Sequence, residues 1–270
     1  MEENLKAKLE KLREVIITTG GCAVAYSGGV DSSLVLSVAK EVLGDRCVAV
    51  IAESSTYSKR EFNEAIGWAK KQEINYRVIH SEELDIPEFS NNPPDRCYHC
   101  KKELFKKVWE VARQLGFGAV LDGTNADDLL DYRPGIKAAG ELGVISPLME
   151  AGITKDEVRK ISREVYRLPM ADKPAMPCLA TRFAFGSSIT RYKLKQIEAI
   201  EDQLYNLGFR NFRARHHGDI LRIEVGQDEL RRVLDEDLRR SIIRFSKEMG
   251  FTYVTLDLEG YRMGSMNIKL

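Results

Sequence analysis

The chain has 270 residues, 43% hydrophobic and 30% charged, with 41 basic residues against 41 acidic ones. That length holds one large or two modest domains with a substantial core. The balanced charge gives no global reason to expect nucleic acid or a membrane as partner, and no apolar run approaches the ~20 residues of a membrane span. The N-terminal stretch is charged and amphipathic, unlike a signal peptide, so a cytoplasmic location is expected. In a reducing compartment five cysteines are not expected to form a disulfide framework. Burial, metal binding or catalysis are the roles open to them.

Residues 2–18 read as a helix, with Leu5, Leu9, Leu12 and Ile16 at helical spacing. Cys22–Tyr26 is small and β-branched, suited to a buried parallel strand. Ser27-Gly28-Gly29 makes a tight turn into an apolar helix reaching Leu43. A second buried strand spans Cys47–Ala52, so Cys22 and Cys47 read as small core hydrophobes. Glu53–Thr56 follows at that strand's carboxyl end, where open α/β sheets place ligands at a switch point. A helix over Lys59–Gln72 and a strand over Tyr76–Ile79 come next, and Glu82–Asn92 reads as acidic and irregular. A helix is expected from Tyr98 to Leu115, a strand over Gly118–Asp122, then the loop Gly123–Asp128. Asp131–Gly135 reads as a turn before a short helix, and Val144–Leu148 as an extended segment. Thr154 caps a helix over Lys155–Tyr166, with Glu157 completing a capping box.

Strands alternating with helices up to residue 168 predict a parallel sheet with helices on both faces. The proline-rich stretch over 169–188 reads as a shaped linker. A small α+β domain follows over 189–270. It has a helix Arg191–Leu207, strands Asn211–Arg215 and Asp219–Val225, a helix Glu229–Met249 and a strand Tyr253–Leu258.

The turn Ser27–Ser33 carries the first chemistry. Two glycines let the backbone approach an anion closely, serine hydroxyls add donors, and the helix N-terminus adds unpaired N–H groups. The product is a phosphate cradle. No lysine follows the glycines as it would in a Walker-type loop; Asp31 stands at the helix start instead. An aspartate there repels bare phosphate unless Mg²⁺ lies between them, so Asp31 reads as a metal-facing group. Ser-Gly-Gly-Val-Asp-Ser resembles the PP-loop of the ATP pyrophosphatases. The resemblance implies that the loop holds pyrophosphate while ATP is split to adenylate a substrate oxygen, and that the Glu53–Thr56 loop covers the adenine.

Cys97-x-x-Cys100 is compatible with a zinc half-site, a redox pair or part of an iron–sulfur site. His99 lies between the two and would point elsewhere. Cys178, in the proline-rich stretch, is the third candidate thiolate. Three cysteines with no evident fourth ligand suit a [4Fe–4S] cluster with one open iron; a structural zinc site is the alternative.

The Ser27–Ser32 loop, Cys97–Lys101, Leu121–Asn125, Asp131–Gly135, Cys178–Phe183 and Val254–Arg262 form a wider set of segments. Together they resemble the LarE-type sulfur-insertion enzymes of lactate racemase maturation. The resemblance spans nearly the whole chain. It implies adenylation of the carboxylates of pyridinium-3,5-biscarboxylic acid mononucleotide by ATP and Mg²⁺. Sulfur then replaces AMP, giving the thiocarboxylate groups of the nickel-pincer nucleotide. Family members either sacrifice a single cysteine or carry three that hold a cluster; Cys97, Cys100 and Cys178 match the second kind. The resemblance further implies a sulfide source and a ring-like homo-oligomer, a hexamer being one form. The candidate nucleotide and substrate set is Ala25, Ser27, Gly28, Gly29, Asp31, Ser32, Ser54, Gly123, Arg133, Arg182, Arg213 and Arg215, with Cys178, Lys101 and Asp31 as candidate catalytic groups.

Each assignment has a plainer counterpart. Lys101 either neutralises an acyl-adenylate or is a solvated lysine. Arg182 and Arg133 suit phosphate or carboxylate, although Arg133 can pair with Asp131. Arg213 and Arg215 share one side of a strand, and with Arg222 they form either an anion pocket or a charged solvent face. Glu201 and Glu224 bind metal or pair with these arginines. His216-His217 point to opposite faces, against a metal reading. Two other functions stand beside the leading one: a tRNA-thiolating PP-loop enzyme, which calls for a basic surface, and a non-catalytic nucleotide-binding protein with a structural zinc site.

Overall fold

The computed structural model describes residues 2–130, 134–262 and 265–266. The chain forms two units: Met1–Glu83 with Asp95–Met176, and Leu84–Pro94 with Pro177–Leu270.

In the first unit α1 (Glu3–Ile17) precedes β1 (Cys22–Ala25), α2 (Val30–Leu43), β2 (Cys47–Glu53), α3 (Lys59–Lys71) and β3 (Tyr76–His80). The four-residue α4 (Pro87–Ser90) belongs to the second unit. Then come α5 (Arg96–Gln114), β4 (Ala119–Leu121), α6 (Pro134–Glu141), α7 (Pro147–Glu150) and α8 (Lys155–Glu164). The sheet runs β3-β2-β1-β4 and every pairing is parallel. Alternation along the strands sends side chains to two apolar layers. Cys22, Val24, Cys47, Ala49, Ile51 and Leu121 pack with α1, α2, α3 and α8. Ala23, Val48, Val50 and Val120 pack with Phe105, Val108 and Ala112 of α5 and Ala139 of α6. This is the expected parallel sheet with helices on both faces.

Strand order corrects one sequence expectation. The chain builds outward from β1 through β2 to β3, then returns to the other side of β1 with β4. The switch point therefore lies between β1 and β4, not at the end of β2, and the crevice opens there. The loops that follow β1 and β4 are Ser27–Gly29 and Gly123–Asn125.

Three further boundaries differ from expectation. Glu82–Asn92 is not wholly irregular: it holds a short 3-10 helix, Glu83–Asp85, and α4. The segment is bound into the second unit, where Asn92 accepts from the Gly186 amide at 2.9 Å and its own side-chain amide donates to Ala184 O at 2.7 Å. Helix α5 starts at Arg96, so Cys97 and Cys100 both lie near its N-terminal end. Val144–Leu148 contributes one bridge, Leu121 with Ile145, before α7 begins.

The second unit holds a 3-10 helix, Leu179–Arg182, then α9 (Arg191–Asn206), β5 (Phe212–His217), β6 (Ile220–Val225), α10 (Glu236–Glu248) and β7 (Tyr253–Leu256). Its sheet is mixed, with β5–β6 antiparallel and β6–β7 parallel. The single helix expected over Glu229–Met249 is broken at Asp235. That residue takes an extended backbone, and its carboxylate accepts from the Leu238 amide at 3.0 Å, capping α10 afresh.

Candidate active site

The loop after β1 is held by its own serines. The Ser27 amide donates to Ser32 Oγ at 3.3 Å, the two hydroxyls lie 3.2 Å apart, and Ser32 Oγ donates to Gly29 O at 3.2 Å. Gly28 sits at φ +68°, in the left-handed region that glycine enters without strain. Gly29 precedes α2, and no side chain caps that helix. The first-turn N–H groups of a 14-residue helix are thus left to an incoming anion, helped by the helix dipole.

The loop after β4 packs directly against this turn. A Cβ at Gly123 would lie 2.7 Å from the Ser32 backbone nitrogen. Buried Asp122 shapes the loop, accepting from Ser146 Oγ at 2.8 Å, Thr124 Oγ1 at 2.7 Å and the Thr124 amide at 3.1 Å. Asn125 then donates from Nδ2 to Asp31 Oδ1 at 3.2 Å, while Lys155 Nζ stands 2.5 Å from Asp31 Oδ2. The Lys155 amide donates to Asp127 Oδ2 at 2.8 Å. The sequence alone gives neither Asn125 nor Lys155 a role. The available signal is a lysine at the first position of α8, where the helix dipole disfavours positive charge.

Asp31 fits a Mg²⁺ role. It is a hard oxygen donor on the first turn beside the phosphate cradle, and it already draws a cation, Lys155, across 124 positions of sequence. One carboxylate plus substrate phosphates is the usual way proteins hold this ion. Among the described residues no group of three His, Cys, Asp or Glu side chains gathers as a metal site.

Ser54 lies just past β2. Its hydroxyl is 2.9 Å from Thr56 Oγ1 and accepts from the Thr56 amide at 3.1 Å. Cys97 is exposed and Cys100 half-buried; their spacing puts both on one face of α5. Cys100 Sγ is 3.9 Å from Glu83 Oε1. Lys101 Nζ lies 5.1 Å from the centre of the Phe105 ring, a cation–π contact. His99 Nε2 faces Asp95 Oδ2 at 3.6 Å, away from a ligand role. Cys22 and Cys47 are core residues, as expected; burial pushes their thiols up to about 12 and about 11. Arg133 lies outside the described residues.

In the second unit Cys178 caps the Leu179–Arg182 turn, its Sγ accepting from the Ala180 amide at 3.4 Å. Arg182 is fully buried and grips Glu201 with two bonds, at 2.8 and 2.9 Å. Its third nitrogen donates to Pro177 O at 2.8 Å and Cys178 O at 3.3 Å, fixing the cysteine's backbone. Burial pulls the Arg182 pKa down, but Glu201 more than offsets this and holds it above the ordinary range. Burial pushes Glu201 up, and Arg182 and Arg213 bring it below the usual carboxylate range. Arg213 and Arg215 are both buried, so they do not form a solvent face. Arg215 pairs with Glu224 at 2.8 Å, and Arg222 reaches the same carboxylate at 3.0 Å. Burial, then repulsion from Arg182, lowers Arg213 to about 10, so it stays charged at neutral pH. The Tyr261 ring covers it at 4.6 Å. Glu201 and Glu224 thus serve the arginines.

A four-stranded parallel sheet, a glycine–serine turn feeding an uncapped helix and an aspartate on that helix's first turn define the PP-loop, ATP-utilising class, and the NAD synthase family model matches residues 4–104. The likeness narrows over the whole chain. The pyridinium-3,5-bisthiocarboxylic acid mononucleotide synthase of Lactiplantibacillus plantarum is 39% identical over 245 residues, 90% of this chain and 88% of its own. An uncharacterized protein of Synechocystis sp. is 41% identical over 263 residues, 97% and 98% of the two chains. An uncharacterized protein of Methanocaldococcus jannaschii is 34% identical over 263 residues, 97% and 96% of the two chains. The chain belongs to the pyridinium-3,5-bisthiocarboxylic acid mononucleotide synthase family, and it is an enzyme. Among the described residues no helix is long and apolar enough to cross a membrane.

Proposed function

We propose that this enzyme uses ATP to replace carboxylate oxygen by sulfur on pyridinium-3,5-biscarboxylic acid mononucleotide. The observation that supports this most is the uncapped α2 turn with Asp31 on it, in a chain 39% identical to a synthase of the bisthiocarboxylic acid product. A carboxylate is a poor electrophile, because its leaving group would be oxide. Its oxygen attacks the α-phosphorus of ATP, the bond to the β-phosphate oxygen breaks, and pyrophosphate leaves. A hydrosulfide-level nucleophile then attacks the acyl carbon, the carbon–oxygen bond to AMP breaks, and AMP carries one former carboxylate oxygen away. The proton of hydrosulfide ends on the phosphate products, and no oxidant is required.

In this reading Ala25, Ser27, Gly28, Gly29 and Ser32 surround the ATP phosphates, Ser54 lies against the base, and Gly123 keeps the β4 loop tight on the cradle. The α2 N–H groups stabilise charge growing on pyrophosphate. Asp31 would hold Mg²⁺, which supplies Lewis acidity toward the phosphates. Lys155 neutralises Asp31 until ATP arrives, and Lys101 balances charge on the acyl-adenylate. Arg213, Arg215 and Arg133 bind the anionic groups of the mononucleotide. Arg182 holds the Cys178 backbone in place. Cys97, Cys100 and Cys178 would hold a [4Fe–4S] cluster, whose chemistry is to bind and release sulfide at an open iron. Residues 169–188 serve as the linker that carries Cys178. A cytoplasmic homo-oligomer supplied by a separate sulfide source completes the proposal.

The test is release of AMP and pyrophosphate by the full chain, prepared without oxygen. Release that requires the pyridinium dicarboxylate mononucleotide supports the reading. Release stimulated by tRNA instead, or bound zinc with no release at all, overturns it.

A further inference from the structure

One contact beside the cradle lies outside the roles above. Tyr57 Oη donates to Ser27 O at 2.6 Å. Tyr57 also ends the Ser54–Tyr57 turn, its amide donating to Ser54 O at 3.2 Å. The phenol therefore ties the loop after β2 to the loop after β1. Burial, with Glu61 adding to it, pushes the Tyr57 hydroxyl well above its ordinary pKa, so it remains a donor.

The carbonyl it grips belongs to the Ser27–Gly28 peptide. A trans peptide is planar, and its N–H points opposite to its C=O. Holding Ser27 O on the Tyr57 side turns the Gly28 N–H to the other side. That N–H has no backbone partner among the described residues. The flanking residue Gly28 is at φ +68°, and glycine gives such a peptide freedom to rotate. Ala65 limits the space behind it, since a Cβ at Gly28 would lie 3.1 Å from Ala65 Cβ. Neither restraint fixes which way the amide faces; the phenol does.

We propose that Tyr57 is a positioning residue that directs the Gly28 amide at the pyrophosphate moiety of ATP and of the leaving group. The proposal rests on the reading that Ser27–Ser32 cradles phosphate. It predicts a selective effect: removing the hydroxyl weakens binding of the β,γ-phosphates and leaves the nucleoside monophosphate end untouched.

The experiment titrates the full chain with inorganic pyrophosphate and, separately, with AMP. Tyr57→Phe keeps the ring and loses one oxygen. Pyrophosphate affinity should fall by about five- to tenfold, the scale of one net hydrogen bond, while AMP affinity stays within about twofold of wild type. Tyr57→Met, also without a donor, should reproduce the split. Unchanged pyrophosphate affinity in Tyr57→Phe, or equal losses for both ligands, overturns the proposal. Ser32→Ala separates the two levels: if it binds pyrophosphate as wild type does, the cradle reading itself fails, whatever Tyr57 does.

Discussion

At Gly123 the requirement is absence of a side chain. A methyl group there would meet the Ser32 amide nitrogen at 2.7 Å and the Ser32 Cα at 3.1 Å, both backbone atoms that cannot swing away. Gly123→Ala must therefore push the β4 loop off the first turn of α2. We expect ATP turnover to fall by at least about tenfold, a barrier change of about 1.4 kcal/mol, and a steady-state AMP-release assay checks it. The buried thiols give a second test. In the unfolded chain a thiol titrates near ~8.5, whereas burial pushes Cys22 up to about 12 and Cys47 up to about 11. Between those values the folded chain keeps protons that the unfolded chain has lost. Their stabilising contribution is complete below the unfolded value and is lost as pH rises through the folded ones. Their contribution to the denaturation midpoint should be flat through neutral pH and fall in alkali, so the alkaline fall is less steep in Cys47→Ala. The Cys22 and Cys47 roles were legible in their apolar neighbours. The Lys155–Asp31 pair was not, because a contact across 124 positions leaves no local pattern.

Elements show the same division. The apolar runs of β1 and β2 and the spacing of Leu5, Leu9, Leu12 and Ile16 were readable, because periodicity reports burial directly. The side of β1 on which β4 would pair was not, because an apolar run fits either edge; the switch point was therefore misplaced by one strand. The break at Asp235 is not legible because the flanking pattern stays helical on both sides; the extended Asp235 backbone and its capping bond to Leu238 reveal it. The capping box of α8 was legible and is present in full: the Thr154 side chain accepts from the Glu157 amide, and the Glu157 carboxylate accepts from the Thr154 amide. Thr154→Ala should cost about 1 kcal/mol, read from the urea midpoint. Because Lys155 is the next residue, KM for ATP should rise in the same variant.

At the scale of the whole molecule, equal numbers of acidic and basic residues do not say which charges are buried. Arg182, Arg213 and Arg215 are buried in the second unit, held by Glu201 and Glu224. Net charge reports nothing about such a cluster, since only the antiparallel register sets Arg215 against Arg222 and Arg213 against Glu224. Truncating Arg182 leaves Glu201 buried and uncompensated, so Arg182→Ala should lose about 3–5 kcal/mol of stability, measurable by denaturant unfolding. The most direct measurement is mass spectrometry, on both small molecule and protein, after reaction under anaerobic conditions with ATP, Mg²⁺, sulfide and the pyridinium dicarboxylate mononucleotide. The account predicts a sulfur-for-oxygen product in excess over enzyme, with all five cysteines intact. Product limited to one sulfur per chain with Cys178 converted to dehydroalanine, or no thiocarboxylate at all, would contradict it.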